Sequence, residues 1–266
     1  MDRCDCVRCR GIDTKVVRRS VVDIFLWSLS LVTRPNVAFA VAVVAAFQIS
    51  MMASDAVPGV ITAVSVFGAY VVLTGYVCRH ALKETTDYVS DGSRNILKTV
   101  IAVPSAVLSF CVFAFLLGSV VVFWIAMNEL FLPGPVTLVL IMVTGLYLIF
   151  RTMMFPQACF IDGKGPVGSI RDSWRVSKVS KGRLIYLLVV GVGYVVLSAS
   201  VPELLNPGTE TLRVTVDLDS YALGVEYGQG FGWRMALNVV SDILFMAVYV
   251  GFLAHVYIET GHTPET

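Results

Sequence analysis

The stretch Thr99–Met127, TVIAVPSAVLSFCVFAFLLGSVVVFWIAM, contains no charged residue. A helix needs about 20 mostly apolar residues to cross the ~30 Å hydrocarbon core of a membrane, so this stretch alone predicts a transmembrane helix. Across all 266 residues, 56% are hydrophobic and only 15% are charged. Soluble domains carry about 25% charged residues. The composition therefore excludes a disordered chain, a nucleic-acid-binding domain and a simple soluble enzyme.

Five further stretches have the same apolar character. The six predicted spans are Val37–Ala53, Val57–Cys78, Thr99–Met127, Val136–Phe155, Leu184–Val201 and Met235–Ile258. We predict an all-α polytopic membrane protein with six transmembrane helices, cytoplasmic amphipathic helices and a small β-hairpin in the last outer loop. It forms one integral membrane domain, 1–266, which is divided into a cysteine-containing tail with an interfacial helix at 1–36, spans one to five at 37–201, an outer loop at 202–232 and span six at 235–258.

The basic residues are distributed unevenly between the two sides of this arrangement. All 20 lysines and arginines except Arg213 and Arg234 lie before span one, between spans two and three, or from the end of span four, at Arg151, to span five. Cytoplasmic loops carry an excess of Lys and Arg. The pattern predicts a multi-pass protein of the plasma membrane with both termini in the cytoplasm.

Two segments on the predicted cytoplasmic side have amphipathic character. Thr14–Thr33 reads as an interfacial helix, ended by Pro35. Pro166–Lys181 reads as a second short helix, because proline suits a first helical turn. In it, Arg171, Arg175 and Lys178 follow at i, i+4 and i+7 and form one basic ridge. We predict that this ridge contacts anionic lipid headgroups.

The outer loop 202–232 shows an alternation with period two on both sides of a turn signal at Asp219. The alternating apolar residues are Leu212, Val214, Val216 and Leu218, then Tyr221, Leu223, Val225 and Tyr227. Period two around a turn predicts a β-hairpin. A lone hairpin is marginal in water, so we expect it to pack on helix ends or on a partner.

Asp242 is the ionisable residue that stands out inside a predicted span, and Gln48 is the other strongly polar side chain there. Burying a charge in hydrocarbon is costly, so Asp242 is a candidate for binding a cation or relaying a proton. The alternative is a residue that is hydrated or locally paired. Arg234, Asn238 and Ser241 on the same helix, or a polar residue of another span, are its possible partners.

Cys4, Cys6 and Cys9 form the densest cluster of potential metal ligands. Three thiols suit a soft metal such as zinc or copper(I), but a zinc site normally has four protein ligands. Cys78, His80 and His255 lie on the same predicted side and could complete a site. The alternative is a tail with reduced, unliganded thiols, and we assign no metal ligand.

Small residues recur on span one at Ala38, Ala42 and Ala46. Small residues let helices approach closely in lipid. We interpret this stripe as a packing surface first and a dimer surface second.

The stretch Phe155–Pro166, FPQACFIDGKGP, followed by Ser169–Arg175, SIRDSWR, and Lys181–Arg183, KGR, resembles a known pattern. It is similar to the segment after the fourth span in a group of six-span bacterial and archaeal membrane proteins. That group includes the membrane domain fused to some glycerophosphodiester phosphodiesterases, and stand-alone relatives of unknown function. The resemblance implies the six-span architecture. It carries over no catalytic residue, because the phosphodiesterase domain is not among these residues.

The functional prediction depends on which catalytic motifs the sequence contains. No His-Glu-x-x-His pattern, Gly-x-Ser-x-Gly elbow or paired-carboxylate cluster occurs, so we assign no catalytic residue and no cofactor. We expect a non-enzymatic component that organises the membrane, interacts with lipid or binds a partner. Membrane lipids are the expected partners, a protein partner or a second copy is possible, and nucleic acid is not expected. The alternatives are a small transporter or permease-like protein with Asp242 near its pathway, and, third, an intramembrane enzyme acting on lipid.

Overall fold

A computed structural model of the chain describes the backbone of residues 20–53, 59–85, 92–130, 134–205, 211–218, 221–228 and 233–261. Over these ranges it forms helices and one strand pair. The helices are α1 Val21–Val32, α2 Pro35–Met52, α3 Gly59–Thr85, α4 Gly92–Leu130, α5 Gly134–Thr152, α6 Phe155–Asp162, α7 Pro166–Val179, α8 Lys181–Leu205 and α9 Trp233–Gly261. The strands β1 Thr211–Leu218 and β2 Tyr221–Gly228 pair antiparallel, with Thr211 opposite Gly228 and Leu218 opposite Tyr221.

Six helical segments of the described chain are long and apolar enough to cross a membrane. They are Pro35–Met52, Ile61–Thr85, Ala102–Met127, Gly134–Asp162, Lys181–Ser198 and Ala236–Thr260. The prediction of an all-α polytopic, multi-pass membrane protein is confirmed at this level. The side of the membrane on which the strand pair and the two termini lie stays a prediction.

Span four differs from the predicted single helix Val136–Phe155. The structure ends α5 at Thr152 and starts a new helix, α6, at Phe155, so that the apolar segment continues to Asp162. Pro156 occupies the first turn of α6. A proline has no backbone N–H and cannot continue the hydrogen-bond ladder of the preceding helix, which explains the break.

Of the predicted interfacial helix Thr14–Thr33, the structure describes the part from Ser20 onward, which contains α1. Helix α1 starts after Ser20, whose side chain forms a capping box with Asp23, while residues 14–19 lie outside the described residues. Its 12 residues extend about 18 Å, too short to span a membrane. One face packs on α9: a Cβ at Gly251 would lie 3.4 Å from Leu31 Cδ2 and from Ser28 Cβ. Val22, Leu26 and Leu29 are exposed on the other side.

The alanine stripe of α2 does not pack within the described chain. Ala38, Ala42 and Ala46 are exposed, whereas the neighbouring stripe of Val37, Val41, Ala45 and Gln48 is buried. The larger valines bury more apolar surface against α3 and α9. The prediction that this alanine stripe packs against another helix is therefore wrong within the described chain.

Helix α9 lies at the centre of one end of the bundle. It contacts α1, α2, α3, α6, α7 and α8, and its last turns are almost completely enclosed. Phe252, His255 and Tyr257 are each at most 1% exposed. The elements predicted to lie on the cytoplasmic side, α1 and α7, are therefore held against this helix rather than attached by loops alone.

Helices α3 and α6 approach closely at Gly75. A Cβ placed there would lie 2.7 Å from Cε1 of the Phe160 ring, which is itself buried. We expect Gly75→Ala to lower the free energy of unfolding by about 1–3 kcal/mol, because a packed aromatic ring must shift to admit the methyl group. Gly68→Ala is the matched control on the same helix, since nothing lies within 4 Å of its Cβ position.

Thermal unfolding of both variants in detergent measures the difference. Phe160→Leu should restore part of the lost stability in the Gly75→Ala background, because the smaller side chain relieves the overlap. Equal unfolding temperatures for Gly75→Ala and Gly68→Ala would contradict the close approach.

Candidate functional site

The break between α5 and α6 is closed by a side chain from α7. Ser173 Oγ donates to the backbone carbonyl of Arg151 at 2.8 Å and accepts from the backbone N–H of Met154 at 3.1 Å. A helix break frees backbone groups, and each one left unsatisfied in hydrocarbon costs several kcal/mol. One hydroxyl therefore satisfies both sides of the interruption and joins α7 to span four.

A stripe of serines fixes the whole inward face of α7. Ser169, Ser173 and Ser177 follow at i, i+4 and i+8 and are fully buried. Ser169 Oγ lies 3.2 Å from Ser109 Oγ of α4, and Ser177 Oγ accepts from Arg151 Nη1 at 3.3 Å. Small polar side chains allow close approach while bonding across helices. The sequence analysis did not predict this stripe, because it considered only the basic residues of the same helix.

Arg151, in the last turn of α5, contacts two aromatic rings. Its guanidinium carbon lies 5.3 Å from the Tyr147 ring centroid and 5.2 Å from the Trp174 ring centroid. Arg151 Nε also donates to the Tyr147 hydroxyl at 3.1 Å. Cation–π contacts of this kind stabilise a charge at partly desolvated positions. Trp174 thus faces the bundle and binds α7 to α5.

The basic ridge occupies the opposite face of α7. Arg171, Arg175 and Lys178 are all exposed. The serine contacts orient the helix so that these cations point away from the protein. Their contact with lipid headgroups stays a prediction, but the structure leaves all three accessible to a ligand.

Two of these cations line a hollow with a volume of about 460 Å³. We call it the basic hollow; its lining residues are Lys164, Gly168, Arg171, Asp172 and Arg175. Lys178 is not among them. Asp172 forms ion pairs with Lys164 and, between Oδ1 and Arg175 Nη2 at 3.5 Å, with Arg175. The hollow therefore combines three cationic side chains with one carboxylate.

Lys164 reaches the hollow through the turn between α6 and α7. Gly163 has φ +67°, a left-handed conformation that glycine adopts without the cost of a Cβ. The next backbone N–H, of Lys164, donates to the carbonyl of Ala158 at 3.3 Å and closes the helix end. Asp162 accepts from the Tyr257 hydroxyl of α9 at 2.7 Å. Both sides of the turn are therefore fixed by hydrogen bonds. In the sequence, the Asp-Gly-Lys-Gly turn at 162–165 is the feature that could have pointed to Lys164 as a site residue.

Asp242 finds its partner on another helix. The Tyr194 hydroxyl of α8 donates to Asp242 Oδ1 at 2.7 Å and lies 3.1 Å from Ser241 Oγ. The Tyr194 ring stacks on Phe245 with centroids 3.8 Å apart and planes within 3°. Asp242 is half-buried. Of the partners named from sequence, Ser241 joins this group, whereas the Arg234 side chain lies outside the described residues.

A second buried polar group surrounds the last turns of α9. Glu259 pairs with Arg183 of α8, and His255 Nδ1 lies 4.0 Å from Glu259 Oε2. The Trp27 ring of α1 meets the His255 ring edge-on at 5.1 Å. These contacts tie α1 and α8 to α9, and sequence inspection had considered His255 only as a possible metal ligand.

The described residues give no support to the hypothesis of a metal site. Among them, no group of three His, Cys, Asp or Glu side chains is arranged to hold a metal ion. Cys78 and Cys159 are buried free thiols. Cys4, Cys6 and Cys9 lie outside the described residues, so their role stays a prediction.

The serine closure of the helix break generates a direct test. Ser173→Ala leaves the Arg151 carbonyl and the Met154 N–H without this partner, and we expect it to lower the free energy of unfolding by about 1–3 kcal/mol. Ser119→Ala is the control, because its exposed hydroxyl bonds only to its own helix, at Phe115. Thermal unfolding in detergent compares the two, and equal stability of both variants would refute the bridging role.

Comparison with known proteins returns no match: no family model, no curated protein and no solved structure resembles the chain to a significant degree.

Proposed function

We propose that this protein is a non-enzymatic component of the plasma membrane that binds and organises lipids, with α7 as its headgroup-contacting surface. The observation that carries the proposal is the orientation of α7. Its serine face is fixed to α4, α5 and α6, and its three ridge cations, Arg171, Arg175 and Lys178, are exposed. A basic surface held at the end of a membrane bundle attracts anionic headgroups, at about 1 kcal/mol per Lys or Arg near the surface.

The proposed orientation places α1, α7 and both termini in the cytoplasm. The strand pair in 202–232 then lies on the outer side. Support comes from the asymmetry of the basic residues, all but two of which lie on one side of the six spans. The exposed apolar side chains of α1, at Val22, Leu26 and Leu29, suit a helix seated in the headgroup region beside α7.

Two further parts of the proposal concern relatives and partners. We propose kinship with the six-span group to which 155–183 is similar, and this kinship brings no enzymatic activity to the chain. The exposed face of α2 at Ala38, Ala42 and Ala46 offers a surface on which a helix of a protein partner or of a second copy would approach closely.

The lipid-binding proposal predicts the loss of co-purified lipid when the ridge is neutralised. We expect Arg171→Gln, Arg175→Gln and Lys178→Gln combined to remove anionic phospholipid that native mass spectrometry detects on the protein purified in mild detergent. The control combines Lys83→Gln and Lys181→Gln, which removes exposed charges from other helices at the predicted cytoplasmic side. Equal amounts of co-purified anionic phospholipid on the ridge variant and on wild type would refute the proposal.

A second candidate function is transport, and the contact between Asp242 and Tyr194 favours it. A carboxylate inside a span, bonded to a hydroxyl of a neighbouring helix, is an arrangement that relays protons or binds cations. The Asp242 side chain is half-buried and lies between α8 and α9. Most of the α8 span is exposed within the described chain.

Proton flux into reconstituted vesicles, followed by an internal pH-sensitive dye, tests this alternative. If Asp242 lies on a pathway, Asp242→Asn abolishes the flux and Tyr194→Phe reduces it, since the hydroxyl positions the carboxylate. Ser50→Ala is the control, because its exposed hydroxyl bonds only to Ala46 of its own helix. Flux that is unchanged in Asp242→Asn removes this residue from any pathway.

A further inference from the structure

We infer that the basic hollow is a discrete site for one phosphate group of an anionic membrane phospholipid, and that Lys164 rather than Lys178 completes it. The inference rests on the proposed lipid-binding function and deepens it. A basic ridge attracts anionic surfaces diffusely, whereas a lined hollow binds one headgroup in one position.

The hollow holds its cations at defined positions. Asp172 is mostly buried and pairs with Lys164 on one side and with Arg175 on the other. Lys164 is further placed by Asp162, whose Oδ2 lies 3.4 Å from its Nζ. Side chains that are already positioned lose less freedom when a ligand arrives.

Arg171 supplies the charge that no described residue matches. It lines the same hollow, is exposed, and takes part in no ion pair among the described residues. Asp172 lines the hollow and Asp162 pairs with Lys164, so two carboxylates face three cations and one positive charge remains. Guanidinium groups bind phosphate oxygens through two parallel hydrogen bonds, which makes Arg171 the principal phosphate ligand.

Gly168 lines the hollow without a side chain. A Cβ at this position would meet only the Lys164 Cβ, at 3.7 Å, so a methyl group fits there and a larger side chain is needed to fill the hollow. The volume of about 460 Å³ falls in the range of pockets that hold small organic ligands. A phosphate with its attached glycerol fits this size better than a bare ion does.

The surroundings favour a phospholipid over free phosphate. Val167, next to Gly168, is 80% exposed, and Val179 at the far end of α7 is 67% exposed. Apolar side chains flanking cations are typical of helices that lie in the headgroup region, where the apolar groups contact the acyl boundary. A site for free phosphate gains nothing from such neighbours.

Titration of the purified protein with phosphatidylglycerol, measured by native mass spectrometry in a nonionic detergent, tests the site. We expect Lys164→Gln, Arg171→Gln and Arg175→Gln each to weaken binding about tenfold, the loss of one charged hydrogen bond. Gly168→Leu should weaken it similarly, because it fills the hollow and keeps every charge. Lys178→Gln should weaken binding less than Lys164→Gln does, because Lys178 does not line the hollow. Lys181→Gln, an exposed lysine outside both the hollow and the ridge, is the matched control, with an expected change of less than about twofold. Millimolar inorganic phosphate should not displace the lipid.

The outcomes separate this inference from the broader proposal. Equal losses in Lys178→Gln and Lys164→Gln, with normal binding by Gly168→Leu, would overturn the hollow and leave diffuse binding to the ridge intact. Displacement by inorganic phosphate would overturn the phospholipid assignment. Failure of wild type to bind phosphatidylglycerol would overturn both. Arg171→Gln removes no ion pair within the described residues, so its result stands even if Lys164→Gln unfolds; Lys164→Arg should retain binding.

Discussion

The constraint on which this structure depends is the absence of water in the hydrocarbon core, which forces every freed backbone group to find a partner within the protein. Span four meets this constraint at the break between α5 and α6, where Ser173 bonds to both the Arg151 carbonyl and the Met154 N–H. Because this hydroxyl belongs to α7, the two hydrogen bonds also fix α7 against span four. The break and the position of α7 are therefore one feature of the fold.

The orientation of α7 has consequences on its other side. A helix with serines at i, i+4 and i+8 turned inward presents its opposite face outward, and here that face carries Arg171, Arg175 and Lys178. Gly163 then sets the direction in which the chain enters α7 and brings Lys164 beside Arg171. The basic hollow thus follows from how the interrupted span is closed, with no separate scaffold.

Composition and hydropathy predicted the six spans because crossing a bilayer depends on local apolar length, which a linear sequence displays directly. The break at Met153 and Met154, inside the predicted span Val136–Phe155, escaped prediction because the residues around it are apolar. Pro156 follows the break, and a proline in a span can kink a helix or end it. Which of these happens depends on whether another helix supplies a partner such as Ser173. Tyr194 escaped for a related reason: its contact with Asp242 depends on the relative register of α8 and α9, which no periodicity reports. The ridge on α7 was visible from its spacing, but the hollow was not.

The ionisable groups of this bundle fall into two sets, and the division bears on function. Arg151 is enclosed by Tyr147, Trp174 and Ser177, and Asp242 is bonded to Tyr194. Those charges near or within the spans already have protein partners that stabilise them, so a ligand binding there must displace an existing contact. The cations of α7 differ, because Asp172 matches only part of their charge and Arg171 is exposed. An anion that binds at Arg171 gains attraction without displacing an ion pair of the described residues, and this is the energetic basis of the proposed headgroup contact at α7.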